Sequence, residues 1–154
     1  MPSRHRFDGY YLQKLQQMDT SDGVAFSVRI MRNKKLVAQA EDRGDGGAVW
    51  FSYDSREAEA AFMEVVRRRV GKDPEADATF LLELMEAHEN DKLSRKGTVV
   101  QSDPAPDDQL QLPITYALKG IFTPEQVASS AHQFTPPLRR IWKLGEGFED
   151  LPQS

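Results

Sequence analysis

Val24-Ala25-Phe26-Ser27-Val28-Arg29-Ile30-Met31 is the stretch on which the fold turns. Val24, Phe26, Val28 and Ile30 alternate with Ala25, Ser27, Arg29 and Met31. Successive side chains of a strand point to opposite faces, so this period of two lays one apolar row on one side and marks a half-buried strand. Downstream, Arg32-Asn33-Lys34-Lys35 reads as a polar turn, and Leu36 to Glu41 as a second strand in which Ala38 and Ala40 alternate with Gln39 and Glu41. After Arg43-Gly44-Asp45-Gly46-Gly47 the chain resumes with Ala48-Val49-Trp50-Phe51-Ser52-Tyr53, rich in the β-branched and aromatic residues that fill a pleated surface. Three such strands with short polar connections predict an antiparallel meander. Upstream, Phe7 to Met18 fits two periods. Tyr11, Leu15 and Met18 form a helical face, whereas Tyr10, Leu12 and Lys14 alternate as in a strand; we read the segment as a short helix or irregular arm.

Beyond the meander the period changes to that of a helix. Asp54 stands three residues before Glu57 as N-cap and N3, and Ala58, Ala61, Phe62, Val65 and Val66 supply the apolar stripe. Arg67, Arg68 and Arg69 complement the C-terminal end of the helix dipole, and Gly71 stands where a left-handed residue terminates a helix. Asp73-Pro74 begins a second helix, with Phe80, Leu81, Leu84, Met85 and His88 on one face and an end near Lys92 or Leu93. Thr98-Val99-Val100-Gln101 follows Gly97 as a further strand, and Ser102 to Gln109 reads as an exposed loop. Leu110, Leu112 and Ile114 alternate, but Pro113 confines any strand there to an edge or a bulge. Thr123-Pro124-Glu125-Gln126 carries a helix start, with Thr as cap, Pro at N1 and Gln at N3, running to about Phe134. Leu138, Ile141 and Trp142 read as a last amphipathic turn. The expectation is therefore an α+β domain over residues 1–146: a three-stranded meander packed by two central helices, a further strand and short C-terminal helices. Residues 147–154 are expected to form a flexible tail.

Composition narrows the function classes. The 154 residues are 39% hydrophobic and 29% charged, with mean hydropathy −0.60, enough for one core and too polar for a membrane span. The Met1-Pro2-Ser3-Arg4-His5-Arg6 start is followed by Asp8, Lys14 and Gln16 rather than an apolar run, so a cytoplasmic location without membrane contact is expected. The absence of cysteine removes thiolate nucleophiles, disulfides, iron-sulfur clusters and cysteine-type zinc sites. Net charge −4 works against nonspecific binding to nucleic acid.

No motif of established chemistry stands out. The Arg43 to Gly47 turn has the glycines of an anion nest, but phosphate loops lead from a strand into a helix, whereas this one joins two strands. His88, flanked by Glu86, Glu89 and Asp91, lacks a second histidine at zinc-motif spacing, and His5 and His132 stand alone. Ser94 and Thr98 have no nucleophile-elbow context. Glu41, Asp42 and Asp45 are carboxylates near a strand end, the residue type that holds Mg²⁺ in metal-assisted phosphodiesterases, and a solvated turn accounts for them equally. No cofactor and no metal ligand set is expected. For a protein partner the candidate contacts are Arg43, Asp45, Trp142 and Phe148, because arginine and aromatic residues dominate interfaces. For nucleic acid they are the basic helix ends, Arg67, Arg68, Arg69 and Lys72, then Lys92, Arg95 and Lys96.

Phe26-Ser27-Val28-Arg29 leading to Gly44-Asp45-Gly46-Gly47, the helical pair, Lys96-Gly97-Thr98-Val99 and Thr123-Pro124-Glu125 together resemble a group of small uncharacterised bacterial and phage proteins, over about residues 20 to 142. The resemblance implies a compact α+β domain and residence in a mobile genetic element, and it assigns no role to any residue. Missing catalytic chemistry and an acidic balance point first to a non-enzymatic protein-binding module, such as an inhibitor or accessory factor acting on host machinery. A nucleic-acid-associated protein is the second expectation and a metal-assisted phosphodiesterase the third.

Overall fold

A computed structural model describes residues 6–153, which divide into two compact units, residues 6–88 and 89–153, with the boundary inside a helix. Each carries a four-stranded antiparallel sheet. The single domain over residues 1–146 expected from sequence is thus laid out as two units, each with its own sheet. The fold class is α+β, with three α-helices among the described residues.

The first unit is a meander of β1 (Tyr10–Thr20), β2 (Gly23–Arg32), β3 (Lys35–Asp42) and β4 (Trp50–Tyr53), in spatial order β1-β2-β3-β4. The helix or arm expected over Phe7 to Met18 is instead the 11-residue strand β1, preceded by a short 3-10 turn at Arg6–Gly9. A β-bulge explains the misreading. The pairing with β2 shifts between Gln13 and Gln16, and Lys14 takes φ +55 there. The inserted residue moves the inward row from Tyr10 and Leu12 to Leu15, so a spacing of three interrupts the period of two and imitates a helix.

α1 (Arg56–Arg69) and the first part of α2 (Ala76–Ser94) cover one face of this sheet. The N-cap of α1 is Ser55 rather than Asp54: the Asp54 N–H is held by Val37 O at 2.8 Å, which prolongs the β3 pairing by one residue, and the Ser55 hydroxyl then accepts from Ala58 N at 3.0 Å. At the centre of the core the fully buried Phe62 ring meets those of Tyr10, Phe80, Tyr53 and Phe51 at 5.2 to 6.2 Å. Such rings each bury a large apolar area and add a preference for edge-on contact, so truncating Phe62 to alanine would cost about 3–5 kcal/mol. Asp8 binds Arg68 and Arg69 at the end of α1. The Arg68 guanidinium hydrogen-bonded to it, with Arg69 alongside, holds the Asp8 carboxyl below its ordinary range against the opposing effect of burial.

The second unit contains the end of α2, β5 (Gly97–Ser102), β6 (Ile114–Lys119), α3 (Pro124–Ser130), a 3-10 turn (Ala131–Gln133), β7 (Leu138–Lys143) and β8 (Gly147–Asp150), with sheet order β6-β5-β7-β8. β6 begins directly after Pro113 and lies at the edge, where a missing N–H breaks no ladder. α3 has the expected capping box: Thr123 Oγ1 accepts from Gln126 N while Gln126 Oε1 accepts from Thr123 N. Two expectations are corrected here. The last amphipathic turn is the strand β7, and the flexible tail is in part β8, paired to β7 from Arg140↔Asp150 to Lys143↔Gly147. A bulge again supplies the reason, since the β5–β7 register shifts between Gln101 and Ser102 and leaves Leu138 and Ile141, both buried, three residues apart. The end of β7 and the turn into β8 are fixed by Asp91, buried near the end of α2, whose Oδ1 accepts from Trp142 Nε1 and from Gly145 N, both at 2.9 Å.

Candidate functional site

The helices of the first unit cover the inward row of the sheet and leave the outward row open. Register builds that open face from two complete cross-strand rows, Gln13, Arg29, Gln39 and Ser52 in one, Gln16, Ser27, Glu41 and Trp50 in the next. Lys14 at the bulge and Arg43 just past β3 extend the face at two sides. A shallow cavity of about 460 Å³ lies over it, and its lining includes Lys14, Arg29 and Arg43 as cations against Glu41 as the one carboxylate among the lining residues. This local excess of positive charge sits on a chain of net charge −4. Trp50 is 61% exposed, and the Arg43 guanidinium lies 5.7 Å from its ring centroid, the geometry of a cation–π contact.

The Arg43–Gly47 loop is the device that sets Arg43 and Trp50. It joins antiparallel strands, as its sequence context predicts. Asp42 Oδ1 accepts from Gly44 N at 2.8 Å and Asp45 Oδ1 from Gly47 N at 2.9 Å, so two successive side-chain turns fold the loop. Gly44 is buried against the β1–β2 turn: φ is +75, and a Cβ there would stand 2.9 Å from Ala25 N and 3.0 Å from Thr20 Oγ1. The Thr20 hydroxyl lies 3.0 Å from Gly44 O and 2.8 Å from Gly23 O and ties the two loops together.

Of the protein-contact candidates, Arg43 is on this face and Asp45 is an exposed loop residue that caps Gly47. Trp142 and Phe148 lie in the second unit, where they face each other as a cross-strand pair with ring centroids 4.9 Å apart, half-buried. The basic helix ends are divided between the units. In the first, Arg68 and Arg69 are engaged by Asp8, while Arg67 and Lys72 are exposed; in the second, Lys92, Arg95 and Lys96 are exposed at and just beyond the end of α2. The carboxylates Glu41, Asp42 and Asp45 do not converge: strand alternation sends Glu41 to the open face and Asp42 to the other, and Asp42 and Asp45 each cap a loop N–H. Among the described residues no three His, Asp or Glu side chains gather as a metal-binding group. His88 is half-buried on α2, His132 is exposed in the 3-10 turn, and His5 lies outside the described residues. The hydroxyls of Ser94 and Thr98 are spent on backbone carbonyls, Asn90 O at 2.7 Å and Gly120 O at 2.9 Å.

Sequence reasoning passed over Lys14, Gln16, Arg29 and Gln39. For Arg29 and Gln39 the signal was present, since both stand in the polar half of an alternating strand. Comparison with protein-family models, with curated proteins and with solved structures finds no match.

Proposed function

We propose that the protein is a non-enzymatic binding module that engages an anionic partner through the uncovered face of its first sheet. The observation that carries this reading is the placement of Trp50, exposed and topped by Arg43, within a concave surface of three cations and one carboxylate on an acidic chain. Exposed tryptophan beside arginine is the combination that supplies most of the energy where partners meet, and the local charge steers an anionic partner towards it. In the setting that the sequence resemblance implies, a phage or other mobile element, such a module would act as an inhibitor or accessory factor of host machinery. Catalysis by Glu41, Asp42 and Asp45 has less support, because these carboxylates face apart and two of them serve the loop.

The test is capture from host extract on immobilised wild-type protein, on R43A/W50A and on K72A, an exposed cation outside this face. A stoichiometric partner kept by wild type and K72A and lost by R43A/W50A is expected. Equal recovery on all three proteins, or no recovery on any, refutes the reading.

A further inference from the structure

Resting on that reading, we infer that the occupant of this face is single-stranded nucleic acid: a base stacks on the exposed Trp50 ring, and Lys14, Arg29 and Arg43 hold the flanking phosphates. Three features of the face converge on this chemistry. The first is charge complementarity, since Lys14, Arg29 and Arg43 gather on the face that the helices leave open with Glu41 as the one carboxylate lining it, and a phosphate backbone is a polyanion that such a local excess attracts. The second is the ring. The Trp50 indole is 61% exposed on a polar sheet with the Arg43 guanidinium over it; with Arg43 turned from the ring to a flanking phosphate it accepts a base of any identity, whereas the bases of a duplex are already stacked on one another and offer no face to it. The third is the span. With strands about 4.8 Å apart, the distance from Lys14 on β1 to Trp50 on β4 is about 14 Å, room for two or three nucleotides of an extended strand.

The neutral residues fit the same occupant. Gln16, Gln39, Ser27 and Ser52 line the cavity with groups that both donate and accept. Glu41, opposite Trp50 on the neighbouring strand, is placed to accept from the ring N–H and amino groups of a stacked base. An acidic peptide would satisfy the cations as well, but it would leave the Trp50 ring without a stacking partner. These residues differ from the basic helix ends considered from sequence, and the mode of contact differs too, being a sheet platform rather than helix termini.

Fluorescence anisotropy on the full chain tests the inference, with labelled single strands of RNA and of DNA about 10 nucleotides long, the corresponding duplex, and a polyglutamate peptide of similar charge as probes. Saturable binding of the single strand is expected. It should weaken about 20-fold between about 50 and 200 mM salt, the response of about three phosphate contacts. W50A should weaken it about tenfold or more while W50F, which keeps a stacking ring, stays within about threefold. R29A should lower both affinity and salt slope. Circular dichroism confirms that each variant is folded, as the exposure of these side chains leads one to expect. Duplex or polyglutamate binding as tight as the single strand, or W50A binding as wild type does, overturns the inference. Absence of single-strand binding also overturns it. If a protein is still captured from extract in a Trp50-dependent way, the docking face survives with a different occupant; if capture fails as well, both readings fall.

Discussion

Replacing Gly44 by alanine tests whether the β3–β4 loop is seated by close backbone approach, and Gly46→Ala is its internal control. Both glycines have positive φ, +75 and +81, so alanine at either incurs the left-handed penalty of roughly 1–2 kcal/mol. They differ in what a methyl group meets. At Gly46 nothing lies within 4 Å, whereas at Gly44 the new Cβ would stand 2.9 Å from Ala25 N and 3.0 and 3.1 Å from two atoms of Thr20. The nearest atom is backbone of the paired strand β2 beside the β1–β2 turn and cannot swing aside as a side chain would, so relief requires the loop to lift and its link to Thr20 to break. That overpacking adds about 1–3 kcal/mol. G46A is therefore expected to cost about 1–2 kcal/mol and G44A about 2–5 kcal/mol. For a unit of this size these correspond to drops in melting temperature of roughly 4–16 °C and 8–40 °C. Urea and thermal unfolding followed by far-ultraviolet circular dichroism measure both, and hydrogen exchange of the loop amides localises the change. Equal destabilisation by the two variants would refute the close-approach argument, because the left-handed penalty alone would then account for Gly44.

Other consequences follow from single contacts. Asp91→Ala leaves the Trp142 indole N–H and the Gly145 N–H without their shared acceptor in a buried setting, so a loss of about 2–4 kcal/mol and a changed Trp142 emission are expected in equilibrium unfolding. Asp8 is expected to contribute stability that is full above its unfolded pKa and disappears as pH falls through the lowered folded value, since protonation breaks its contacts with Arg68 and Arg69. Unfolding free energies of wild type and D8N from urea titration should accordingly differ by at most about 1 kcal/mol near neutral pH and converge as pH falls below the ordinary carboxylate range; a gap that widens in acid would contradict this sign. Asn33 and Lys34 form the two-residue β2–β3 turn with φ +53 and +64, and Lys34→Gly is expected to stabilise the hairpin by about 0.5–1 kcal/mol, read as a raised melting temperature.

The sequence by itself determined those elements whose period is unbroken. β2 carries four alternating apolar residues, of which Phe26, Val28 and Ile30 are buried and Val24, next to the turn, is exposed, and α1 declares itself by the stripe through Phe62, Val65 and Val66. Thr123-Pro124-Glu125-Gln126 specifies the start of α3 by hydrogen bonds that are local to four residues. The Arg43–Gly47 loop was also legible, since its glycines stand between two strand patterns. What misled the reading was β1 and β7, and for one physical reason: in each, a register shift places successive inward residues three apart, and a spacing of three belongs equally to a helix. A bulge exists only because a neighbouring strand fixes the pairing on either side of it, so its presence is a property of the pair and not of one segment. The candidate site shares this dependence. Arg43 was visible as a loop cation, but Lys14 reaches the face through the bulge in β1. Arg29, Gln39 and Trp50 belong to one surface only because cross-strand register brings residues 14 to 52 side by side. Which face stays open was decided by the helices, whose apolar stripes cover the inward row and leave the polar row, with its three cations and Trp50, to solvent.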